Sequence, residues 1–248
     1  MKPILLLIAL TLSANLYGQI TQHVILDRKN NLREYYTSSG EDTLVKNGKY
    51  SAYPFFSKPL ICKGFYKNNL KDSVWCYYSG WGNLIDSGYY RDDKKIGIWQ
   101  SYKKNGQIEE QYDFTNKKLI TYNPEPEDAD TSILYRVVNK SESVMTVLDR
   151  PPIYLDGKLM FKEAIGGHMI YPQEAREADI QGKVIISFIV NEEGHVVDYK
   201  FLRKIGHGLD EAALNAVKHA SGDWLPGLLK GKPVAVEHIT PVSFSLPQ

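Results

Sequence analysis

The sequence predicts an α+β protein in two units, an N-terminal all-β sheet of hairpin repeats followed by a smaller unit of helices and antiparallel strands. Aromatic residues recur at a fixed spacing in the first half, and an acidic, proline-containing stretch then ends that pattern. After residue 141, period-two apolar alternation returns together with helical stripes. A chain of 248 residues with 43% apolar content can fill two small cores. The charge is uneven: residues 20–122 hold 16 Lys and Arg against 11 Asp and Glu, and residues 141–248 hold 11 against 14. A net charge of +1 gives no field that would favour nucleic acid or an anionic membrane as partner.

Residues 1–19 combine Lys2, an apolar run from Ile4 to Leu12 and small residues ending at Gly18, the pattern of a cleaved export signal. The alternative is an inner-membrane anchor over residues 4–16, which is shorter than the ~20 apolar residues a spanning helix needs. Export places the mature chain in the periplasm. There Cys62 and Cys76 can form a disulfide across a hairpin or stay as two unpaired thiols in a sheet, since register decides between them.

Residues 20–122 contain an internal repeat. Gly64 recurs at Gly88, Trp75 at Trp99, Tyr78 at Tyr102, Gly82 at Gly106 and Leu84 at Ile108, each pair 24 apart. Each unit reads as Gly, aromatic strand, polar turn, Trp-containing strand and Gly turn, hence a β-hairpin. Twelve of the 17 Tyr residues lie between Tyr35 and Tyr122, so stacked hairpins should bury a shared aromatic face. The stretch from Asp27 to Tyr53 reads as a degraded or capping unit. Through its Gly-Tyr-Tyr, Ile96-Gly97-Ile98-Trp99 and Tyr102 to Gly106 elements, the region resembles MORN-repeat variants, which implies an interaction scaffold. Residues 123–140, with Pro124, Pro126 and the acidic Glu125, Glu127, Asp128 and Asp130, read as a linker.

The second unit, residues 141–248, opens with a helix after Pro172 that Gly182 ends. Lys183 to Val190 alternates as a strand, Asn191 to Gly194 turns the chain, and Val196 to Arg203 returns as a second strand. Asp210 is placed to cap a helix with Leu209, Ala213, Ala216, Val217 and Ala220 on one stripe. A last strand runs from Val234 to Leu246, and Pro241 within it places that strand at a sheet edge, because proline cannot donate to a ladder. An edge leaves backbone groups able to pair with an incoming extended peptide.

Tyr171-Pro172, Ala175-Arg176, Gly182-Lys183-Val184, Phe188-Ile189-Val190, Trp224-Leu225-Pro226-Gly227, Gly231-Lys232-Pro233-Val234 and Pro241-Val242-Ser243-Phe244 occur in order. Together they resemble the signature of TonB C-terminal domains over Val144 to Leu246. The resemblance implies two helices against a three-stranded antiparallel sheet. It also implies a periplasmic role in transmembrane transport, in which the last strand pairs with the TonB box of an outer-membrane transporter. The residues it assigns to that contact are Val234, Ala235, Val236, Glu237, His238, Ile239, Thr240 and Val242. The segment before Tyr171 also touches the transporter in the family, often through a Gln three residues earlier, where this chain has His168. Coupling to the family's inner-membrane partners ExbB and ExbD needs an anchor and a long spacer, so binding without energy transduction is the expectation. The rival reading is a structural envelope protein that self-associates as a homodimer or attaches to the cell wall.

No catalytic constellation stands out. His168, His195 and His207 each adjoin a glycine at a turn and lack metal-ligand spacing along one element. Gly206-His207-Gly208 lacks the third Gly and the Lys of a phosphate loop. The chain is read as a non-enzyme without cofactor or metal.

Overall fold

The computed structural model describes residues 20–246 apart from 28–30, 40–43, 57–58, 127–131, 140–141 and 221. The export signal expected at residues 1–19 lies outside the described residues, as does part of the linker. The chain divides into two compact units, meeting at Asn123 and Pro124.

The first unit is one nine-stranded antiparallel meander in which every strand pairs with the next in sequence. Its strands are β1 (Ile20–Asp27), β2 (Leu32–Ser39), β3 (Gly48–Pro54), β4 (Cys62–Lys67), β5 (Leu70–Tyr78), β6 (Leu84–Arg91), β7 (Lys94–Tyr102), β8 (Ile108–Asp113) and β9 (Lys118–Tyr122). Two-residue turns join β4 to β5 and β6 to β7. Both central residues have positive φ in each, 50° and 66° at Asn68 and Asn69, 48° and 64° at Asp92 and Asp93. That backbone follows the strands' own twist, and Asn and Asp tolerate it. Each turn also clips onto an earlier strand or its approach. Asn69 donates its N–H to Lys46 O at 2.9 Å and accepts the Lys46 N–H at 2.7 Å. Asp93 does the same with Lys71, at 3.0 and 2.6 Å.

The 24-residue period has a packing cause. The Trp75 indole lies over Gly64 and donates to Phe65 O at 3.0 Å, and Trp99 lies over Gly88 and donates to Tyr89 O at 3.1 Å. A Cβ at Gly64 or Gly88 would sit 2.3 or 2.2 Å from the ring, so only glycine admits the indole. Lys71 and Lys95 close the outer faces of these rings, with Nζ 4.6 and 4.3 Å from the centroids. Tyr50, Tyr66, Trp75, Tyr90, Trp99 and Phe114 form a continuous run of rings with centroids 4.9 to 6.1 Å apart. Each hairpin therefore buries its aromatic face only against its neighbours.

Register resolves the cysteine alternatives. Cys62 lies opposite Tyr77 and Cys76 opposite Lys63. Since neighbours along a strand point to opposite faces, the two thiols lie on opposite sides of the sheet and cannot be bridged. Both are free, Cys62 buried and Cys76 half-buried. Burial pushes the Cys62 thiol from its ordinary 9.0 to about 11, against the opposing pull of the Lys71 charge.

The second unit is built on a five-stranded antiparallel sheet with strand order β11-β10-β18-β13-β14. In chain order its elements are β10 (Tyr135–Val138), β11 (Ser143–Thr146), β12 (Ile153–Tyr154), α1 (Gly157–His168), α2 (Gln173–Glu177), β13 (Gly182–Val190) and β14 (Val196–Arg203). There follow α3 (Leu209–His219), β15 (Trp224–Leu225), β16 (Gly227–Leu229), β17 (Lys232–Val234) and β18 (Val236–Phe244). Small ladders join β12 to β15 and β16 to β17. Val184, Ile186, Phe188 and Val190 of β13 and Val242 and Phe244 of β18 share one face. They meet Phe161 and Ile165 of α1, Ala175 of α2, the Leu209, Ala213, Ala216 and Val217 stripe of α3, and Trp224. The small residues of α3 let it lie close on the sheet.

Four expectations are corrected. The sheet has five strands rather than three, because Tyr135–Val138, placed in the linker by composition, forms β10 and pairs with β11. There are three helices rather than two, α1 being the addition. The run expected as one strand from Val234 to Leu246 breaks at Ala235 into β17, which pairs with β16, and β18. Asp210 does not cap α3; its carboxylate accepts the N–H groups of Ile205 at 2.8 Å and Gly206 at 3.1 Å, fixing the loop before the helix, and Gly208 with φ of 76° starts it.

Gly88→Ala should destabilise the first unit by about 1–3 kcal/mol, since the Trp99 ring must be displaced. A urea midpoint measured against the wild-type chain gives the loss, and since Gly88 does not have the positive φ that favours glycine, it reports the indole contact rather than backbone strain. Burial raises the pKa of Tyr50, Tyr66 and Tyr77 as well as that of Cys62. The unfolded chain then releases these protons first, so stability is intact below pH 9 and falls as pH rises through 9 to 11 and beyond. Denaturant midpoints at pH 8 and 10.5 should differ in that direction.

Candidate functional site

β13 holds one side of β18 along its whole length, in register from Val190↔Val236 to Gly182↔Phe244. On the other side β10 reaches only its start, where Val137 pairs with Val236 and the Val138 N–H donates to Ala235 O at 2.9 Å. The expected edge strand is thus internal to the sheet at its first residues. Beyond Val236, no strand pairs with β18 on this side among the described residues.

The ladder's alternation says which groups this leaves open. Backbone N–H and C=O groups turn to one side at one residue and to the other side at the next. Since Ala235 bonds toward β10, Glu237, Ile239, Pro241 and Ser243 direct their backbone groups the same way, and Val236 through Phe244 at even positions bond to β13. Pro241 therefore falls where its missing N–H removes nothing from the β13 ladder, which is why a proline sits inside a nine-residue strand. The open row comprises both backbone groups of Ile239 and Ser243 and the carbonyl of Pro241.

The side chains follow the same alternation. Thr240, Val242 and Phe244 are buried under the helices, whereas Ile239 is 54% exposed and Pro241 and Ser243 are exposed. The other sequence-assigned contacts are engaged within the unit. Val234 lies in the β16–β17 hairpin opposite Gly227. The Glu237 carboxylate is 3.6 Å from Arg136 of β10, whose Nε donates to Ser143 Oγ at 3.1 Å. The His238 ring lies among Phe161, Phe188 and Trp224 at centroid distances of 6.2, 5.1 and 5.0 Å. Of the eight residues assigned on the last strand, Ile239 alone belongs to the open row, Thr240 and Val242 being committed to β13 and the core, and Ser243 joins it.

His168 and Tyr171 belong to a different part of the unit. The Tyr171 hydroxyl donates to Ile180 O at 2.6 Å and its ring meets Phe244 edge-on at 5.6 Å, so it supports the far end of β18. His168 ends α1 and stacks on His219, the last residue of α3, with centroids 5.3 Å apart. Neither was expected to have the other as neighbour. The signal for α1 was present as Gly157, Phe161 and Ile165, one buried residue every four, but Gly166-Gly167 masks it as a loop.

His195 and His207 face carboxylates, Glu193 at 3.9 Å and Glu174 at 3.2 Å. Among the described residues no group of three or more His, Cys, Asp or Glu is placed to hold a metal ion. None of the described helices is long and apolar enough to cross a membrane.

Helices packed on one face of an antiparallel sheet, with a long last strand only partly covered, define the second unit as a small α+β domain. Residues 167–246 match the family model of the Gram-negative bacterial TonB protein C-terminal. Among solved structures, the chain is similar to the NMR solution structure of the Helicobacter pylori TonB C-terminal domain. The two are 28% identical over 36% of this chain and 79% of that one, with a TM-score of 0.29. A Staphylococcus aureus TarM mutant in complex with Fondaparinux, alpha-GlcNAc-glycerol and UDP is 14% identical over 41% of this chain and 21% of that one, with a TM-score of 0.25. No curated protein matches the chain.

Thr240→Pro should destabilise the second unit by about 1–3 kcal/mol, because it removes a donor to β13 and leaves the Ile186 carbonyl opposite without its partner. Ile239→Pro, one position away, should cost much less. Equal losses in thermal melts of the two variants would contradict the alternation assigned to β18.

Proposed function

We propose that the second unit acts in the periplasm by taking up an extended segment of an outer-membrane transporter as an added strand against Ile239 to Ser243. The observation that carries this reading is the row of outward backbone groups on β18 that β10 does not reach. The family match supplies the class of partner, since TonB C-terminal domains serve outer-membrane transporters. Main-chain bonds would give the affinity, and the exposed side chains of Ile239, Pro241 and Ser243 would line the face beside the incoming strand. β10 limits the docking length at one end, so a bound segment pairs beyond it or displaces it. The reading includes neither catalysis nor energy transduction.

A scaffold role for the first unit has an observation of its own. Phe65 and Tyr89 are 42% and 54% exposed, Val74 and Ile98 38% and 45%, and all four keep the 24-residue repeat. Val74 and Tyr89 lie directly opposite each other, on the face away from the buried indoles. Such repeated apolar positions suit a second protein surface within the envelope.

The test is a titration of the labelled chain with peptides carrying the TonB box of transporters from the same organism, followed through backbone amides. Ile239 and Ser243 should shift first, and Ile239→Pro should weaken binding on the order of tenfold while the remaining spectrum stays folded. Shifts confined to other surfaces, or unchanged affinity in Ile239→Pro, would overturn the reading.

A further inference from the structure

β10 stops short of the open row on β18, yet the residues just before β10 are in line with it. Val137 pairs with Val236 in an antiparallel ladder, and the same register carried back along the chain puts Leu134 opposite Ile239 and Ser132 opposite Pro241. The hydrogen-bond phase agrees with the register. The Val138 N–H bonds to Ala235 O, so even-numbered residues of this segment turn their backbone groups toward β18, while Tyr135 and Val137 turn theirs toward β11. In that register Leu134 exchanges both main-chain bonds with Ile239, and the Ser132 N–H meets the Pro241 carbonyl, whose own residue has no N–H to give in return.

The side chains agree as well. Arg136 and Glu237 face each other one step along this ladder and are 3.6 Å apart on the side of the sheet away from the helices. By alternation Leu134 and Ile239 share that side. They are 56% and 54% exposed, so pairing would set two uncovered apolar side chains against each other. Ser132, Ile133 and Leu134 contain no charge, proline or glycine that would oppose an extended strand.

We propose that Ser132 to Leu134 extends β10 along β18 as an internal strand that competes with the transporter segment for Ile239. The competition rests on the docking proposed above, whereas the closure itself does not. The structure shows the open form, in which β10 begins at Tyr135. Ordering three residues costs about what the new bonds and the covered side chains return, so the open and closed forms lie within about tenfold of each other. Closure reaches Pro241 and leaves Ser243 uncovered. An incoming segment has to displace the chain's own strand, which lowers its apparent affinity by the closed fraction.

Leu134→Pro tests this device. Proline suits the residue that enters a strand but cannot donate to Ile239 O, so it holds the row open and leaves the β10–β11 pairs in place. In amide exchange of the free chain, the variant should exchange about threefold faster at Ile239, with no change at Thr240 or Ser243. Its affinity for TonB-box peptides should rise by the same factor, because both readouts report the open fraction. Leu134→Asn keeps the N–H but removes the apolar cover, and should shift both readouts in the same direction. Thermal melts of the variants report separately on folding. Unchanged exchange at Ile239 in both variants, or equal acceleration at Ile239 and Ser243, would overturn the closure whatever the peptide does. Faster exchange at Ile239 with unchanged peptide affinity would overturn the competition. Faster exchange at Ile239 in a chain that binds no peptide, wild type or variant, would support the closure and remove the docking reading instead.

Discussion

The pairing of β13 with β18 is the contact on which the second unit rests. It runs nine residues without a break and carries Val184, Ile186, Phe188 and Val190 together with Val236, Val242 and Phe244 onto one face. Full burial of each such side chain is worth about 1.5–3 kcal/mol, so this ladder organises most of what the helices cover. The other properties of β18 follow from the phase of the ladder. Even positions are committed to β13 and to the core. Odd positions are committed to neither, and β10 engages only the first of them. A strand fully sandwiched would have no room for Pro241, and a strand wholly at the edge would leave Arg136 and Glu237 apart.

The first unit solves a different problem, that of a one-layer sheet with little core of its own. Its solution is repetition: an indole over a glycine, a lysine over the indole, and an asparagine or aspartate turn clipped to the lysine of the preceding unit. Every contact is between neighbouring hairpins, so a 24-residue period is a direct consequence of the packing. The same locality made the repeat readable from the chain alone, since Gly64 with Trp75 and Gly88 with Trp99 show the pair twice.

What the chain did not reveal is what depends on distant partners. Composition placed Tyr135–Val138 in a linker because prolines and acidic residues precede it, although Tyr135, Val137 and Val138 are strand formers. They pair locally with β11, but the contact that joins β10 to the main sheet, Val137 with Val236, spans about a hundred residues. The cysteines were open between two readings for the same reason: a shift of one position in the β4–β5 register exchanges the faces. Asp210 had the residue type and position of a helix cap, and only the fold shows its carboxylate turned back to the loop at Ile205 and Gly206. Pro241, by contrast, was informative from the start. It required a side of β18 without ladder donation, and the structure supplies that side over the later part of the strand rather than over all of it.

Hydrogen exchange of single amides along β18 tests the central assignment most directly. The account predicts strong protection at Val236, His238, Thr240 and Val242, whose N–H groups bond to β13, and fast exchange at Ile239 and Ser243, whose N–H groups face outward. Uniform protection from Val236 to Ser243 would mean that a strand covers the outward side along its length, and would contradict the account.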